Sequence, residues 1–286
     1  MSTVLPALRV HHPESEQPIV SWTGGVSTAK IDVLAVEEPL EIRLAGFSVA
    51  VTMRTPGHDR ELAAGFLFTE GIIHTANDID TISVCQVDDA ESQGNIINVN
   101  PRDPAIIDPK RWQRNFFTTS SCGICGKASI ESVRQEAPSI RSDLSVPYKT
   151  LYGLEEQLRG AQNAFDKTGG LHGAGLFDRD GRLLVAREDV GRHNAVDKVI
   201  GHAMLGEANT RAHRPPLSDL LLMVSGRLSF EIVQKALMAG IPLVAAVSAP
   251  SSLAVELARS ADMTLVGFLR HGRFNVYAGR HRIIAN

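Results

Sequence analysis

Three short apolar runs, Leu220–Val224, Leu243–Val247 and Met263–Leu269, alternate with helical patterns at Phe230–Met238 and Ser251–Arg259. No other feature constrains the fold as tightly. Continuous apolar strands separated by helices call for a sheet covered on both faces. Upstream, Leu171–Phe177 and Leu183–Arg187 flank Asp178-Arg179-Asp180-Gly181, a hairpin turn signal. Val196, Val199, Ile200, Ala203 and Met204 repeat at helical spacing, and Leu154–Phe165 and Ile130–Ala137 read as further helices. Residues 115–286 are therefore expected to form a three-layer α/β domain.

The first half has a different pattern. Ile31, Val33 and Ala35, then Leu40, Ile42 and Leu44, alternate as strands do, and Ala45-Gly46 turns the chain into Phe47–Met53. His58–Glu70 reads as a helix with Leu62, Phe66 and Leu67 on one face and Gly71 as its stop. Strands near Ile82–Val87 and Ile96–Val99 complete a smaller α+β domain over residues 21–114. Cys85 falls in an apolar strand pattern and reads as a buried small hydrophobe. Pro101, Pro104 and Pro109 mark Pro101–Arg114 as a linker. Pro6, Pro13 and Pro18 among polar residues mark 1–20 as a flexible N-terminal arm. Gly206–Ser218 is a polar loop insertion, and no fixed-period repeat is present.

Composition narrows the function classes. A net charge of −3 argues against wholesale binding of nucleic acid or an anionic membrane. No run approaches the roughly 20 apolar residues of a membrane span, and Arg9, His11 and His12 precede any apolar run, so no signal-peptide pattern is evident. An odd count of three cysteines argues against a secreted disulfide framework and for the cytoplasm.

Two strand ends carry small polar residues ahead of a helix: Val224 leads to Ser225-Gly226-Arg227, and Val247 to Ser248-Ala249-Pro250-Ser251. Free first-turn N–H groups and the helix dipole favour anions there. Ordinary capped connections account for either one alone, and no glycine fingerprint of a Rossmann or P-loop site is present.

The chemistry-bearing motif is Ser121-Cys122-Gly123-Ile124-Cys125-Gly126. Thr118-Thr119-Ser120-Ser121 supplies hydroxyls for an N-cap, and Lys127 follows. A thiolate at a helix N-terminus beside a lysine has a lowered pKa. Three readings are open on these residues. Cys122 holds a persulfide with Cys125 assisting or resolving it; or the two form a redox dithiol; or they bind zinc, with His172 in Gly170-Leu171-His172-Gly173 as a third ligand. Zinc deaminases place their His-x-Glu before a Pro-Cys-x-x-Cys. Here the order is reversed, no proline precedes Cys122 and Gly173-Ala174 follows His172, which weakens the deaminase-type site.

Four motifs occur in order: the cysteine motif, Gly170-Leu171-His172-Gly173-Ala174, the block from Glu188 to Lys198 (Glu188-Asp189-Val190-Gly191-Arg192-His193-Asn194-Ala195-Val196-Asp197-Lys198), and Ser225-Gly226-Arg227. With Thr55-Pro56, Gly65-Phe66 and Glu70-Gly71-Ile72-Ile73, they closely resemble the FdhD family of sulfurtransferase accessory proteins of formate dehydrogenase, from about residue 30 to the end. The resemblance implies a cytidine-deaminase-like α/β core and a cytoplasmic, usually homodimeric protein. It implies a sulfurtransferase that accepts sulfur from a cysteine desulfurase and passes it to the bis-molybdopterin guanine dinucleotide cofactor of formate dehydrogenase, with no tightly bound metal. Cys122 matches the sulfur-carrying position and Cys125 the second motif cysteine.

Cofactor-binding candidates follow. Phe268, Leu269, Arg270, His271, Gly272 and Arg273 succeed the last long strand, and from Met263 to Asn286 there are four arginines and no acid. Arginine forks suit phosphate oxygens, and the resemblance places guanine dinucleotide binding near this position, where a free guanine nucleotide can substitute. Arg192 and His193 offer donors to a base or pyrophosphate, although a charged first turn of a helix is expected from the dipole alone. His172 lines the pocket or caps a strand. The alternative function is a zinc-binding or non-catalytic molybdenum-cofactor chaperone.

Overall fold

The computed structural model describes residues 12–85, 89, 92–107, 139–206 and 214–285. The Cys122/Cys125 motif, the helix expected at Ile130–Ala137 and much of the expected linker lie outside the described residues.

The described chain opens as a two-stranded ribbon, β1 (Glu14–Thr23) and β2 (Val26–Ala35), paired antiparallel around Gly24-Gly25. The expected N-terminal arm is corrected from Glu14 onwards. Both ribbon strands are edges, and an edge strand tolerates a proline such as Pro18. β3 (Glu38–Leu44) and β4 (Phe47–Arg54) turn at Ala45-Gly46 as the alternation predicts. With β5 (Ile79–Val84) and β6 (Ile96–Pro101) they make a sheet in the order β4-β3-β6-β5. Leu40, Ile42 and Leu44 all point inward and are buried. Cys85 follows the end of β5 and is half-buried, so it is not the core residue its apolar neighbours suggest.

α1 (Asp59–Thr69) leads from this sheet into the second half. There, β7 (Val146–Pro147) precedes α2 (Tyr148–Gly160) and α3 (Asn163–Thr168). The single helix expected over Leu154–Phe165 is thus two, broken at Gln162. A mixed six-stranded sheet follows in the order β13-β12-β11-β10-β8-β9. Its members in chain order are β8 (His172–Phe177), β9 (Leu183–Asp189), β10 (Leu221–Val224), β11 (Leu243–Ala246), β12 (Thr264–Arg270) and β13 (Arg273–Ala278). β10, β11 and β12 are mutually parallel, and α5 (Phe230–Met238) and α6 (Ser252–Ser260) connect them. α4 (Arg192–Leu205) joins β9 to the loop before β10. β13 is an edge strand in which Arg273 and Asn275 alternate with Phe274 and Val276, so it lacks the continuous apolar run of the buried strands. β14 (Ile283–Ile284) pairs with β7.

The two sheet faces bury different residues. Leu222, Val224, Val244 and Leu265 join α4, α5, α6 and α1 in the larger apolar cluster. Leu221, Met223, Leu243 and Val266 pack with Leu151, Leu154 and Leu158 of α2 in a second one. The larger cluster runs without interruption from Leu40 of β3 to Leu265 of β12, so residues 21–114 and 115–286 share one core.

α1 and α4 meet at two glycines. A methyl group on Gly65 would lie 1.9 Å from the carbonyl oxygen of Asp197, and one on Gly201 the same 1.9 Å from that of Glu61. Only glycine allows this approach. Around the crossing, charges are buried in pairs. Lys235 donates to Asp197 at 2.9 Å, to Thr69 at 2.9 Å and to Glu70 at 3.2 Å. Burial pushes Asp197 up to about 6 against the pull of Lys235. Burial would also lower Lys235, but Asp197 and Glu70 overcome it and raise the ammonium above its ordinary value.

Glu61 accepts two bonds from Arg187, at 2.6 and 2.7 Å, and lies 2.9 Å from Nδ1 of His202. Burial raises its carboxyl, but Arg187 and His202 outweigh burial and hold it well below the carboxylate range. A depressed folded-state pKa adds stability that is complete above the unfolded value near 4.5 and fades as pH falls below it. Glu61→Gln is therefore expected to destabilise the protein at neutral pH. Denaturant midpoints of variant and wild type should converge on acidification; a gap unchanged down to about pH 3 contradicts the pairing.

Among the described residues, no helix is long and apolar enough to cross a membrane.

Candidate functional site

One edge of the six-stranded sheet gathers the predicted residues. β10, β11 and β12 end there, and the helices that follow β10 and β11 begin there. His172 starts β8 at the same edge, paired with Asp189 at the end of β9, and α4 begins at Arg192 just beyond. The connections diverge between β8 and β10, where open α/β sheets form their ligand crevice.

A cavity of about 430 Å³ occupies this crevice. Leu158, Phe165, Leu171, Met223 and Val247 line its apolar walls, while Gln162, His172 and Ser225 face it with polar groups and Glu155, Arg159, Gly169 and Gly170 complete the lining. Gln162 is 3% exposed and its amide nitrogen has no hydrogen-bond partner. An orphaned buried donor costs about 1–3 kcal/mol, so this amide is poised for a ligand acceptor. Gly173 leaves room for it: a Cβ there would lie 2.7 Å from the Gln162 side chain.

Backbone clamps hold the other polar groups. Ser225 Oγ accepts from the Gly173 amide at 2.8 Å, and the Ser225 amide donates to Gly173 O at 2.9 Å, leaving the hydroxyl hydrogen for the cavity. Burial lowers the pKa of His172, and Arg192 and Arg227 lower it further, so its imidazole is neutral at physiological pH. Both arginines therefore act electrostatically on the same spot. Nε of Arg192 is a second buried donor without a partner.

Other predicted residues take different roles. His193 is buried with Nε2 3.4 Å from Ser229 Oγ and 3.9 Å from Glu231, facing the first turn of α5; it does not line the cavity. Glu188 accepts from the amides of Ala164 and Phe165 at 2.9 and 2.7 Å, capping α3 and fixing Phe165 in the cavity wall. Asp189 is fully buried. It accepts from the amides of Thr55 and Gly191, from Asn194 and from Lys198, the last at 2.7 Å. Most of the charged block from Glu188 to Lys198 thus braces the turn that presents Arg192 rather than meeting a ligand itself.

The turn between β12 and β13 carries Arg270, His271, Gly272 and Arg273, all exposed. Three strand spacings separate it from β8, on the order of 14 Å along the same edge. His271 and Gly272 have φ of 51° and 67°, and Phe268 has φ 53° at a bulge whose amide donates to Ser248 O. Positive φ at non-glycine residues is strain of the kind that collects at functional sites. Among the described residues, Arg270 and Arg273 have no ion-pair partner. Two expectations are corrected here. Leu269 is 1% exposed in the second apolar cluster, so its side chain is core. Arg282, counted in the cationic tail, is buried, donating to Asp262 O at 2.6 Å and to its carboxylate at 2.9 Å. Asp262 stands one position ahead of the acid-free stretch.

Cys122 and Cys125 lie outside the described residues. Among the described residues, no three His, Cys, Asp or Glu side chains gather to hold a metal. Sequence reasoning did not single out Gln162 or Phe165, because both sit at a helix break that the apolar spacing runs through.

The model of the FdhD/NarQ family matches residues 35–284. The chain belongs to the FdhD/NarQ family. It is 50% identical over 265 residues to the sulfur carrier protein FdhD of Streptomyces avermitilis, covering 91% of this chain and 92% of that protein. It is 49% identical over 284 residues to the sulfur carrier protein FdhD of Mycobacterium tuberculosis, covering 96% and 97%. The crystal structure of a protein from Desulfotalea psychrophila, named as a formate dehydrogenase accessory protein, superposes with a TM-score of 0.73. That match has 28% identity and spans 96% of this chain and all of the other. The FdhD/NarQ match takes in the cavity, the β12–β13 turn and the cysteine motif alike, and leaves out most of the ribbon.

Proposed function

We propose that this chain is a sulfur carrier serving a formate dehydrogenase, with Cys122 as the carrying thiol. Near 50% identity across more than nine-tenths of the chain to proteins named sulfur carriers bears most of the weight. In the proposed step, the Cys122 thiolate attacks the outer sulfur of a donor persulfide on a cysteine desulfurase. The donor S–S bond breaks, the donor leaves as a thiolate, and Cys122 becomes a persulfide that keeps the hydrogen of the transferred sulfur. Cys125 is assigned an assisting role. The client is the bis-molybdopterin guanine dinucleotide cofactor, which accepts the sulfur, and the setting is cytoplasmic.

The edge site fits one end of such a client. A cavity of 430 Å³ is within the range of small-molecule sites and takes a nucleotide end rather than a whole dinucleotide cofactor. The unpaired amide of Gln162 suits a base edge. Arg192 and the exposed Arg270 and Arg273 supply the forks that suit phosphate. The helices on both faces of the large sheet are read as the cytidine-deaminase-like three-layer arrangement.

In cells lacking their own copy of this protein, the wild-type chain is expected to restore formate dehydrogenase activity and Cys122→Ala to leave it at the background. Full restoration by Cys122→Ala would favour the non-catalytic cofactor-chaperone reading instead.

A further inference from the structure

A second cavity, of about 410 Å³, opens at the far end of α4. Arg192 starts that helix at the edge crevice and Leu205 ends it here, so about 20 Å of helix separates the two sites. Three segments distant in sequence supply the walls. Arg60 projects from the first turn of α1, Asn77 and Asp80 come from the chain entering β5, and Arg214 precedes β10. Ile79, Ile82 and Met204 make an apolar floor, in which Met204 is fully buried. The β5 wall is braced from behind: Arg102 donates to the carbonyl oxygens of Asn77 at 3.0 Å and Ile79 at 3.4 Å. On the opposite side the Arg214 guanidinium lies against Gly206, where a Cβ would come within 2.8 Å of it.

The charges of this cavity are unpaired. Among the described residues, the side chains of Arg60, Arg214 and Asp80 have no ion-pair or hydrogen-bond partner. Arg60 stands in the first turn of α1, where the helix dipole disfavours a cation. Its acidic neighbours Asp59 and Glu61 are held by Arg54 and Arg187 instead. Helix stability therefore gives no reason for this arginine. Two guanidinium groups repel a metal ion. The Asp80 carboxylate between them and the apolar floor is wrong for a phosphate ester, and the floor calls for a hydrocarbon group. One carboxylate, one ammonium and one apolar chain in the same ligand satisfy all of these groups. The volume is at the small end of ligand sites.

We propose that this second cavity binds a free α-amino acid with an apolar side chain. Arg60 and Arg214 hold its carboxylate, since guanidinium forks suit carboxylate oxygens. Asp80 takes its ammonium, and its side chain covers Ile82 and Met204. The bound amino acid ties α1, β5 and the segment before β10 together. This site is independent of the sulfur-carrier reading.

The test is isothermal titration calorimetry of the purified full-length protein with L-methionine, its decarboxylated amine and its deaminated acid. Methionine is expected to bind at one site per chain. Each comparison ligand should bind about tenfold more weakly, the loss of one charge-assisted hydrogen bond. Arg60→Gln, Arg214→Gln and Asp80→Asn should each weaken methionine about tenfold. Their melting temperatures without ligand should match wild type, because none of the three side chains has a partner to lose. No saturable binding of methionine, leucine or phenylalanine at about 10 mM would overturn the proposal. Methionine binding that all three variants retain at full strength would overturn it too, by placing the amino acid elsewhere. Equal affinity for methionine and the deaminated acid would do the same, since Asp80 would then hold no ammonium.

Discussion

Gly65→Ala is expected to cost about 3 kcal/mol or more, the upper end of what overpacking a core does. The obstacle is the carbonyl of Asp197 at 1.9 Å, a backbone group held by its own helix, so no rotamer change relieves it. The two helices must separate, and α1 and α4 are the elements through which the smaller sheet joins the larger one. At roughly 2–4 °C per kcal/mol for a chain of this size, the melting temperature should fall by about 6–12 °C. Gly201→Ala should do the same from the other side. Because both methyl groups open one gap, the double variant should fall by less than the sum. Single variants melting within about 2 °C of wild type would show that the helices do not pack this closely.

Lys198→Met should be comparably severe, about 3–5 kcal/mol, because it strands a buried carboxylate. Lys198 is 1% exposed, and it lies 2.7 Å from Asp189 and donates to Thr55 O at 2.9 Å. Removing it leaves the buried Asp189 side chain without its cationic partner. Adding Asp189→Asn should recover part of the loss, since the pair is then removed together. The consequence reaches the turn before α4, because Asp189 also accepts from the Gly191 amide and from Asn194 on either side of Arg192. Urea midpoints of the two variants measure both effects. A single variant within about 1 kcal/mol of wild type would mean that Lys198 and Asp189 are not the buried, close pair described.

The large sheet was legible because its strands are short continuous apolar runs with helices between them, and Phe230–Met238 falls where the spacing puts it. The edge site was legible in outline from Ser225 and His172, which meet at one crevice. Gln162 was not, because a helix break leaves the apolar spacing intact and a buried orphan amide has no sequence signature. The ribbon was misread for a different reason. Pro6, Pro13 and Pro18 among polar residues set the arm at residues 1–20, a boundary that stops short of the Thr23-Gly24-Gly25-Val26 hairpin signal. The start of α4 holds partners that its sequence does not announce: Asp189, Asp197 and Lys198 are buried against partners from β4, α1 and α5 and the loops beside them. Spacing along one helix does not reveal partners more than a hundred residues away.

The central claim is that Cys122 carries sulfur. Incubating the protein with a cysteine desulfurase and cysteine, then measuring peptide masses without reductant, tests it most directly. The peptide holding Cys122 should gain the mass of one sulfur atom, and the gain should vanish with reductant and in Cys122→Ala. A Cys122 peptide that stays unmodified while the desulfurase is demonstrably loaded would contradict the claim.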